Sequence, residues 1–175
     1  MALKLLFYPE PILKRRSAPL GVIDDEVRER VRGMFEILYR ERGVGLAAPQ
    51  VGWSVRLFIA NPSGEPNPAE ERVYINPRIT GADGEIREEE GCLSIPGVRG
   101  PVTRSRRVAV RAQGLLGEVF EEECAELKAR VIQHELDHLD GILFISRLSA
   151  SDRMLVAKAL RKLETEHDER AGQGR

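Results

Sequence analysis

The sequence predicts an α+β fold, in which mainly antiparallel sheets pack around one central helix, with a further helix near each end of the chain. Short segments that are rich in β-branched residues and bounded by Pro, Gly or Asn indicate strands. These segments lie early and in the middle of the chain, and helices follow them, an order that favours α+β. The strand segments are residues 55–60, 72–76 and 107–112, with weaker candidates at 84–87 and 118–122.

Three segments show the apolar spacing of amphipathic helices. They cover residues 24–43, residues 125–140 and residues 151 to about 166. Ser149 and Asp152 are spaced like a capping pair at the start of the last segment. The residues that share one face are Val27, Val31, Phe35 and Leu38 in the first helix, Leu127, Val131, His134 and His138 in the second, and Val156, Leu160 and Leu163 in the third.

The length predicts one domain followed by a short tail. A chain of 175 residues has the usual size of a single domain, which is expected to cover residues 1–166. The small and polar residues at the very end predict that residues 167–175 form a flexible C-terminal tail.

Composition and charge exclude a membrane protein and argue against DNA as a partner. Hydrophobic residues make up 42% of the chain and charged residues 31%, and no apolar run approaches the roughly 20 residues that cross a bilayer. Pro9 and Glu10 interrupt the N-terminal segment before a secretion signal can form, so a cytoplasmic location is expected. A net charge of -1 provides no overall positive field for nucleic acid.

Residues 134–138 form an HExxH motif, which predicts a metal site on the second, central helix. The spacing places His134 and His138 one helical turn apart, where both imidazoles can bind one ion. Glu135 projects about 100° further around the helix axis, so it can meet a water molecule beside the ion without being a ligand. With three His in the whole chain, the motif favours a metal site over two unrelated histidines.

The residues themselves leave two candidates for the third ligand. The third His of metzincin proteases is replaced here by Phe144, which excludes that class. Glu164 has the spacing of a thermolysin-like ligand on a following helix, whereas Cys92, in the small-residue segment 90–94, could present a thiolate from a strand end. Both cysteines of the chain are expected to be thiols, and Cys124 is interpreted as structural.

A structural ion in a binding module is an alternative from a different class. Structural zinc sites are closed by a fourth protein ligand, and no second Cys or His lies near Cys92 in the sequence. The motifs therefore favour a hydrolase whose ion keeps one position for water.

Three segments, in this order, resemble the peptide deformylase family. They are GVGLAAPQ at residues 43–50, EGCLS at 90–94 and QHELDHLDG at 133–141, and the similarity extends from about Leu5 to Leu148. The glycine-rich segment alone is a weak signal, and HExxH is shared among hydrolases. The resemblance implies a metallohydrolase that removes the N-terminal formyl group from N-formylmethionyl nascent polypeptides and releases formate.

The resemblance also implies the ligands and the catalytic groups. One divalent ion would be bound by Cys92, His134 and His138, with Fe2+ preferred and Zn2+, Ni2+ or Co2+ as alternatives. Glu135 would act as general base towards water and then as general acid towards the leaving amine. The remaining catalytic groups implied are the side-chain amide of Gln50 and the backbone N–H of Leu93, which would stabilise the oxyanion, and the backbone of Gly45, which would position the substrate.

A chain of this length that ends in a helix is similar to the bacterial type, whose last helix helps to dock the enzyme on the ribosome near the exit tunnel. An equally good interpretation is a solvent-exposed helix face whose charges are balanced by acidic neighbours, and His167 is expected to be exposed. The basic residues on that helix are Arg153, Lys158, Arg161 and Lys162, and the acidic neighbours are Asp152, Glu164 and Glu166.

One position departs from the family pattern, and another bears on the substrate pocket. Glu126 stands where the pattern predicts Gly, which is expected to affect the start of the central helix. Arg130 is expected beside the side-chain pocket, so it bears on the pocket's width. Val44, Leu127 and Val131 could line this pocket for a methionine side chain, or they could belong to the core.

Overall fold

The computed structural model describes residues 3–173, without the side chains of residues 171 and 173. Its helices and its two antiparallel sheets confirm the predicted α+β fold. The helices are α1 (Asp25–Arg40), α2 (Glu126–Leu139) and α3 (Ala150–Gln173). The strands are β1 (Gly45–Ala47), β2 (Leu57–Ala60), β3 (Arg72–Asp83), β4 (Ile86–Cys92), β5 (Ile95–Arg104), β6 (Arg107–Gln113) and β7 (Val119–Ala125).

The strands form a five-stranded sheet with the order β1-β2-β3-β6-β7 and a separate hairpin of β4 and β5. All named strand pairs are antiparallel. Because β1 is at one edge of the larger sheet, no strand within residues 3–173 pairs with the outer row of its backbone groups.

Strand β2 is apolar throughout because both faces of the larger sheet are covered by helices. Leu57 and Ile59 pack in a cluster with α1, whereas Phe58 and Ala60 pack in a cluster with α2. This division follows from the alternation of side chains along a strand. Helix α2 therefore lies in the interior, and it also contacts the β4–β5 hairpin through hydrogen bonds of its histidines.

The hairpin packs against α3 and the N-terminal segment. Tyr8 and Leu13 join Ile95, Val102 and Leu160 in a third apolar cluster. The sequence did not predict β5, whose ten residues include two Pro and two Gly. Such residues are tolerated here because each strand of a two-stranded sheet has one side without a partner strand.

The sequence did not predict β1 either, and β2 is shorter than the predicted segment 55–60. The remaining strands overlap the predicted segments and continue beyond their ends. Strand β3 continues to Asp83, beyond the predicted end at residue 76, with two register shifts against β6. Residues 61–68 form a loop, as their Pro content indicates. No helix within residues 3–173 combines the length and the apolar character that crossing a bilayer requires.

Side-chain caps begin the first and last helices, and the second of these is the capping pair that the sequence predicted. The Asp24 carboxylate accepts a hydrogen bond from the Val27 N–H at 2.9 Å, and the Ser149 hydroxyl accepts one from the Asp152 N–H at 3.1 Å. Each cap satisfies one of the N–H groups that a helix leaves without a partner in its first turn.

Helix α3 is longer than the sequence predicted. It continues to Gln173, so the predicted end near Glu166 is wrong and residues 167–173 of the expected tail are helical. His167 has a side chain that is only 26% exposed, and its Nε2 lies 3.4 Å from Oε1 of Glu10, so the prediction that it is exposed is also wrong. Residues 174–175 of the expected tail are outside the described residues.

Helix α2 begins at a residue with a positive φ angle, and another such residue lies two positions beyond its end. Glu126 has φ 51, a backbone conformation that is costly for any residue with a Cβ. Glu126, which stands where the family pattern predicts Gly, therefore has a strained backbone conformation. At the other end Gly141 has φ 73, and a Cβ there would lie 2.7 Å from the carbonyl oxygen of Lys14, so glycine is required.

We predict that Glu126→Gly is more stable than Glu126→Ala by about 1 kcal/mol, because both remove the carboxylate and only Gly relieves the strain. Urea unfolding of the two variants measures the difference. The ion pair of Glu126 with Arg106 is exposed and long, at 3.9 Å, so its loss contributes little. An Ala variant as stable as the Gly variant would contradict the assignment of strain to this residue.

Candidate metal centre

Cys92, His134 and His138 converge where the end of β4 meets α2. Their ligand atoms all lie within 4.8 Å of one another, and Cys92 Sγ is 3.2 Å from His138 Nε2. The two rings are one helical turn apart, with centroids separated by 5.0 Å. A helix and a strand that are distant in the sequence thus bring together the three predicted ligands.

The donor set fits a divalent transition-metal ion. A thiolate and two imidazoles suit Fe2+ and Zn2+, and three protein ligands are the number found in catalytic sites that keep one position for water. Among the described residues, no further His, Cys, Asp or Glu joins this group. Glu164 instead accepts a hydrogen bond from the Tyr8 hydroxyl, so the thermolysin-like alternative is wrong.

A hydrogen bond orients the ring of His134 for this role, whereas Nδ1 of His138 is buried without a partner among the described residues. Nδ1 of His134 lies 3.0 Å from Oε2 of Glu90, which leaves Nε2 for an ion. Burial lowers the pKa of His138 well below its usual value, so this ring is neutral, as a metal ligand must be. Burial also lowers the pKa of His134, but hydrogen bonds with Cys92 and Glu90 outweigh it and raise the pKa to about 10. A bound ion would take the place of that proton.

A buried ion network holds Glu90 in place. Arg104 on β5 donates two hydrogen bonds to Glu90, at 2.8 and 2.9 Å, and a third to Asp137 at 2.6 Å. The Arg104 side chain is 2% exposed. Burial raises the pKa of Glu90, yet the hydrogen bonds from Arg104 and His134 outweigh it and lower the pKa to about 2. The half-exposed Arg147 adds two further hydrogen bonds to Asp137.

Sequence reasoning missed this network. Glu90 and Asp137 stood inside the recognised segments, but a charged residue on a strand or helix is usually exposed, so nothing indicated that they were buried. One available signal was the position of Asp137, three residues after His134 and thus on a neighbouring part of the same helix face.

Glu135 is buried beside the three ligands. Its Oε2 has no hydrogen-bond partner among the described residues, and burial raises its pKa to about 7, against the effect of His134, which lowers it. Gly45 on the edge strand β1 packs directly on this carboxylate. A Cβ at Gly45 would lie 2.4 Å from Glu135 Oε1 and 2.8 Å from Val131 Cγ1, so any side chain there would displace Glu135.

Gln50 presents its amide nitrogen to the site. It lies in a 3-10 turn, Ala48–Val51, and its Oε1 accepts a hydrogen bond from the Ala47 N–H at 2.7 Å. Its Nε2 donates to the Ser94 hydroxyl at 3.1 Å and lies 3.5 Å from Cys92 Sγ. The bond to Ala47 fixes which end of the amide faces the thiol.

A cavity of about 470 Å³ opens over this group and is lined on one side by Leu93. Val44, Leu127 and Val131 also line it. Val44 and Val131 also pack in the apolar cluster around α2. These two residues therefore both line the cavity and contribute to the core. Arg130, also on the wall, forms an ion pair with Glu88 and is 13% exposed.

The chain resembles known proteins both in sequence and in fold. The family model described as polypeptide deformylase matches residues 2–154. The chain belongs to the polypeptide deformylase family. A peptide deformylase of Acidobacterium capsulatum is 48% identical over 157 residues, which cover 90% of this chain and 92% of that protein.

Solved structures of deformylases share the whole fold. Peptide deformylase 1B of Arabidopsis thaliana, in complex with an inhibitor, matches with a TM-score of 0.93 and 36% identity, over 97% of this chain and 94% of that one. A peptide deformylase from Legionella pneumophila matches with a TM-score of 0.88 and 37% identity, over 96% of this chain and 98% of that one.

Membership confirms the family and the enzyme class that the sequence predicted. The chain is a peptide deformylase, a hydrolase that removes the N-terminal formyl group from nascent polypeptides. The family is metal-dependent, and the three converging side chains provide a suitable group of ligands.

We predict that Arg104→Met weakens metal binding about 10-fold to 100-fold, because Glu90 then no longer holds His134 in place. The same change removes the arginine partner of the buried Glu90 and leaves Asp137 with Arg147 alone, which is expected to cost about 3–5 kcal/mol of folding free energy. Competition with a chelator measures the first effect, and urea unfolding measures the second.

Arg106→Met is the matched control, because Arg106 is 53% exposed and lies outside this network. It should change neither quantity appreciably. A metal dissociation constant that is unchanged in Arg104→Met would contradict the proposed positioning of His134.

Proposed function

We propose that this deformylase binds one divalent ion through Cys92, His134 and His138 and acts on N-formylmethionyl peptides, with Glu135 as its proton-transfer group. The observation that carries the proposal is the convergence of the three ligand atoms within 4.8 Å beside a buried carboxylate that has an unpartnered oxygen. We further propose Fe2+ as the ion in the cell, as the resemblance implies, with Zn2+, Ni2+ or Co2+ able to replace it.

A divalent ion held at this site supplies Lewis acidity, which lowers the pKa of water and polarises a carbonyl group. Glu135 does the proton transfer. In its ionised form it accepts the proton of the attacking water, and in its protonated form it donates that proton to the leaving amine nitrogen. A pKa that burial raises to about 7 makes both forms accessible near neutral pH.

The oxyanion that develops on the formyl oxygen needs fixed hydrogen-bond donors. We assign this task to Nε2 of Gln50 and to the backbone N–H of Leu93. The bond from the Ala47 N–H to Gln50 Oε1 holds the amide before the substrate arrives, so little reorganisation is needed during the reaction. The backbone of Gly45, at the free edge of β1, is assigned to hold the substrate chain by strand-like hydrogen bonds.

The cavity wall supports formylmethionine as the first residue of the substrate. Val44, Leu127 and Val131 offer apolar contacts to an unbranched side chain, and hydrophobic lining with few polar groups is typical of such pockets. The neighbouring Arg130, paired with Glu88, limits the width of the pocket.

The proposal includes the cytoplasm as the location and the ribosome, near its exit tunnel, as a partner. Support comes from the exposed basic side chains of α3, of which Arg153, Lys158 and Arg161 form no ion pair with the described residues. A cation on a helix face can meet the phosphates of ribosomal RNA.

We predict that the iron-loaded enzyme releases formate from formyl-Met-Ala-Ser, and that Cys92→Ala loses both the ion and this activity. The reason is that removal of the thiolate leaves only two protein ligands. Anaerobic preparation, elemental analysis and a formate assay on the same samples provide the measurement.

Cys124→Ala is the matched control for loss of a thiol. Cys124 is buried in the core cluster away from the three ligands, and burial raises its pKa to about 11, so it is expected to be unreactive. Metal content that stays at one equivalent in Cys92→Ala, or absence of formate with the loaded enzyme, would refute the proposal.

We predict that kcat/KM falls as the pH decreases through the pKa of Glu135, because the protonated acid cannot accept a proton from water. The midpoint should lie at or below about pH 7, since a cation nearby lowers the pKa that burial raises. A pH profile of formate release measures it. Glu135→Gln should retain the ion while its turnover is slower by about a hundredfold or more, and an active Gln variant would exclude the assigned role.

A further inference from the structure

The mouth of the active-site cavity lies between the edge strand β1 and the β4–β5 hairpin. Arg42, just before β1, and Arg99, on β5, both line this cavity. Gly43, next to Arg42, packs closely against Leu93 on the other side of the cavity. A Cβ at Gly43 would lie 2.7 Å from Cδ1 of Leu93. Arg42 is therefore attached to the cavity wall and not to a distant loop.

Arg42 carries a charge that no acidic side chain in residues 3–173 balances by an ion pair. The residue is exposed, and its φ of 55 marks a backbone conformation that turns the chain sharply between α1 and β1. The helix-ending residues just before it form their own pair, Arg40 with Glu41, at 2.9 Å.

The other charges at the mouth largely cancel. Arg99 lies 3.6 Å from Glu89, and its side chain is 64% exposed. Its guanidinium lies over Gly91, with Nη1 3.2 Å from the position of a Cβ there. Deeper in the cavity, Arg130 is paired with Glu88. The surplus positive charge at the mouth therefore belongs to Arg42.

We propose that Arg42 is a specificity-determining residue, which makes the enzyme prefer substrates with an acidic side chain at the second or third residue, counting formylmethionine as the first. This inference rests on the proposed binding of the substrate along β1. Arg42 precedes Gly45 by three residues, and an extended peptide advances about 3.3 Å per residue. A substrate that starts at Gly45 and runs antiparallel to β1 has its second and third residues opposite Val44 and Gly43, where the long side chain of the adjacent Arg42 can reach them.

The expected effect is electrostatic and moderate. A cleft with one surplus charge favours a ligand of opposite sign most strongly at low ionic strength, and added salt screens the attraction. Asp in place of Lys replaces repulsion with attraction, so the ratio of the two kcat/KM values is expected to be about tenfold at about 0.01 M ionic strength.

The test compares C-terminally amidated formyl-Met peptides that carry Asp, Ser or Lys at the second position, and a second set with the same three residues at the third. The wild-type enzyme should prefer Asp to Lys about tenfold in at least one set, and the preference should decrease at about 0.15 M salt. Arg42→Glu should reverse the order. Arg42→Asn should abolish it, and Asn suits the positive φ at this position.

Arg32→Glu is the matched control, because it is an exposed arginine on α1 outside the cavity and changes the net charge equally. It should keep the wild-type order of peptides. A wild-type ratio within about twofold of unity, or an equal shift in Arg32→Glu and Arg42→Glu, would overturn the inference. Failure to deformylate even the Ser peptides would instead refute the proposed function, so the two failures are distinguishable.

Discussion

The hydrogen bonds of Arg104 are the interaction on which the metal centre depends. This one side chain joins β5, which carries it, to Glu90 on β4 and Asp137 on α2. The hairpin carries Cys92 and the helix carries both histidines, so the guanidinium fixes the relative position of the two elements that carry the proposed ligands. Glu90, held in this way, fixes the orientation of the His134 ring through its hydrogen bond with Nδ1.

A buried ion network of this kind is a poor source of stability. Removing an arginine and two carboxylates from water costs several kcal/mol per ion, and an apolar replacement of similar shape is often at least as stable. The three apolar clusters around the sheets and helices provide the stabilisation instead. The network is better explained by orientation, because planar, bidentate bonds allow little rotation of Glu90.

Local spacing was enough to predict that the three helices exist and where they begin, although not where α3 ends. It also predicted the pair formed by His134 and His138, because both kinds of feature depend on residues within a few turns of each other. It could not decide between Cys92 and Glu164, since the third ligand comes from another element and depends on how the chain folds in three dimensions. The resemblance to a family supplied that choice. Arg104 was missed for a related reason, because the burial of a charged residue depends on partners that are distant in the sequence.

Because the three proposed ligands come from two elements, an ion at this site would also act as a clamp between them. Its binding free energy would add to that of docking the β4–β5 hairpin on α2, and tight docking would increase the affinity for the ion by the same amount. A substitution far from the ligands, in the apolar contact between the hairpin and α3, can therefore change metal retention without touching a coordinating atom.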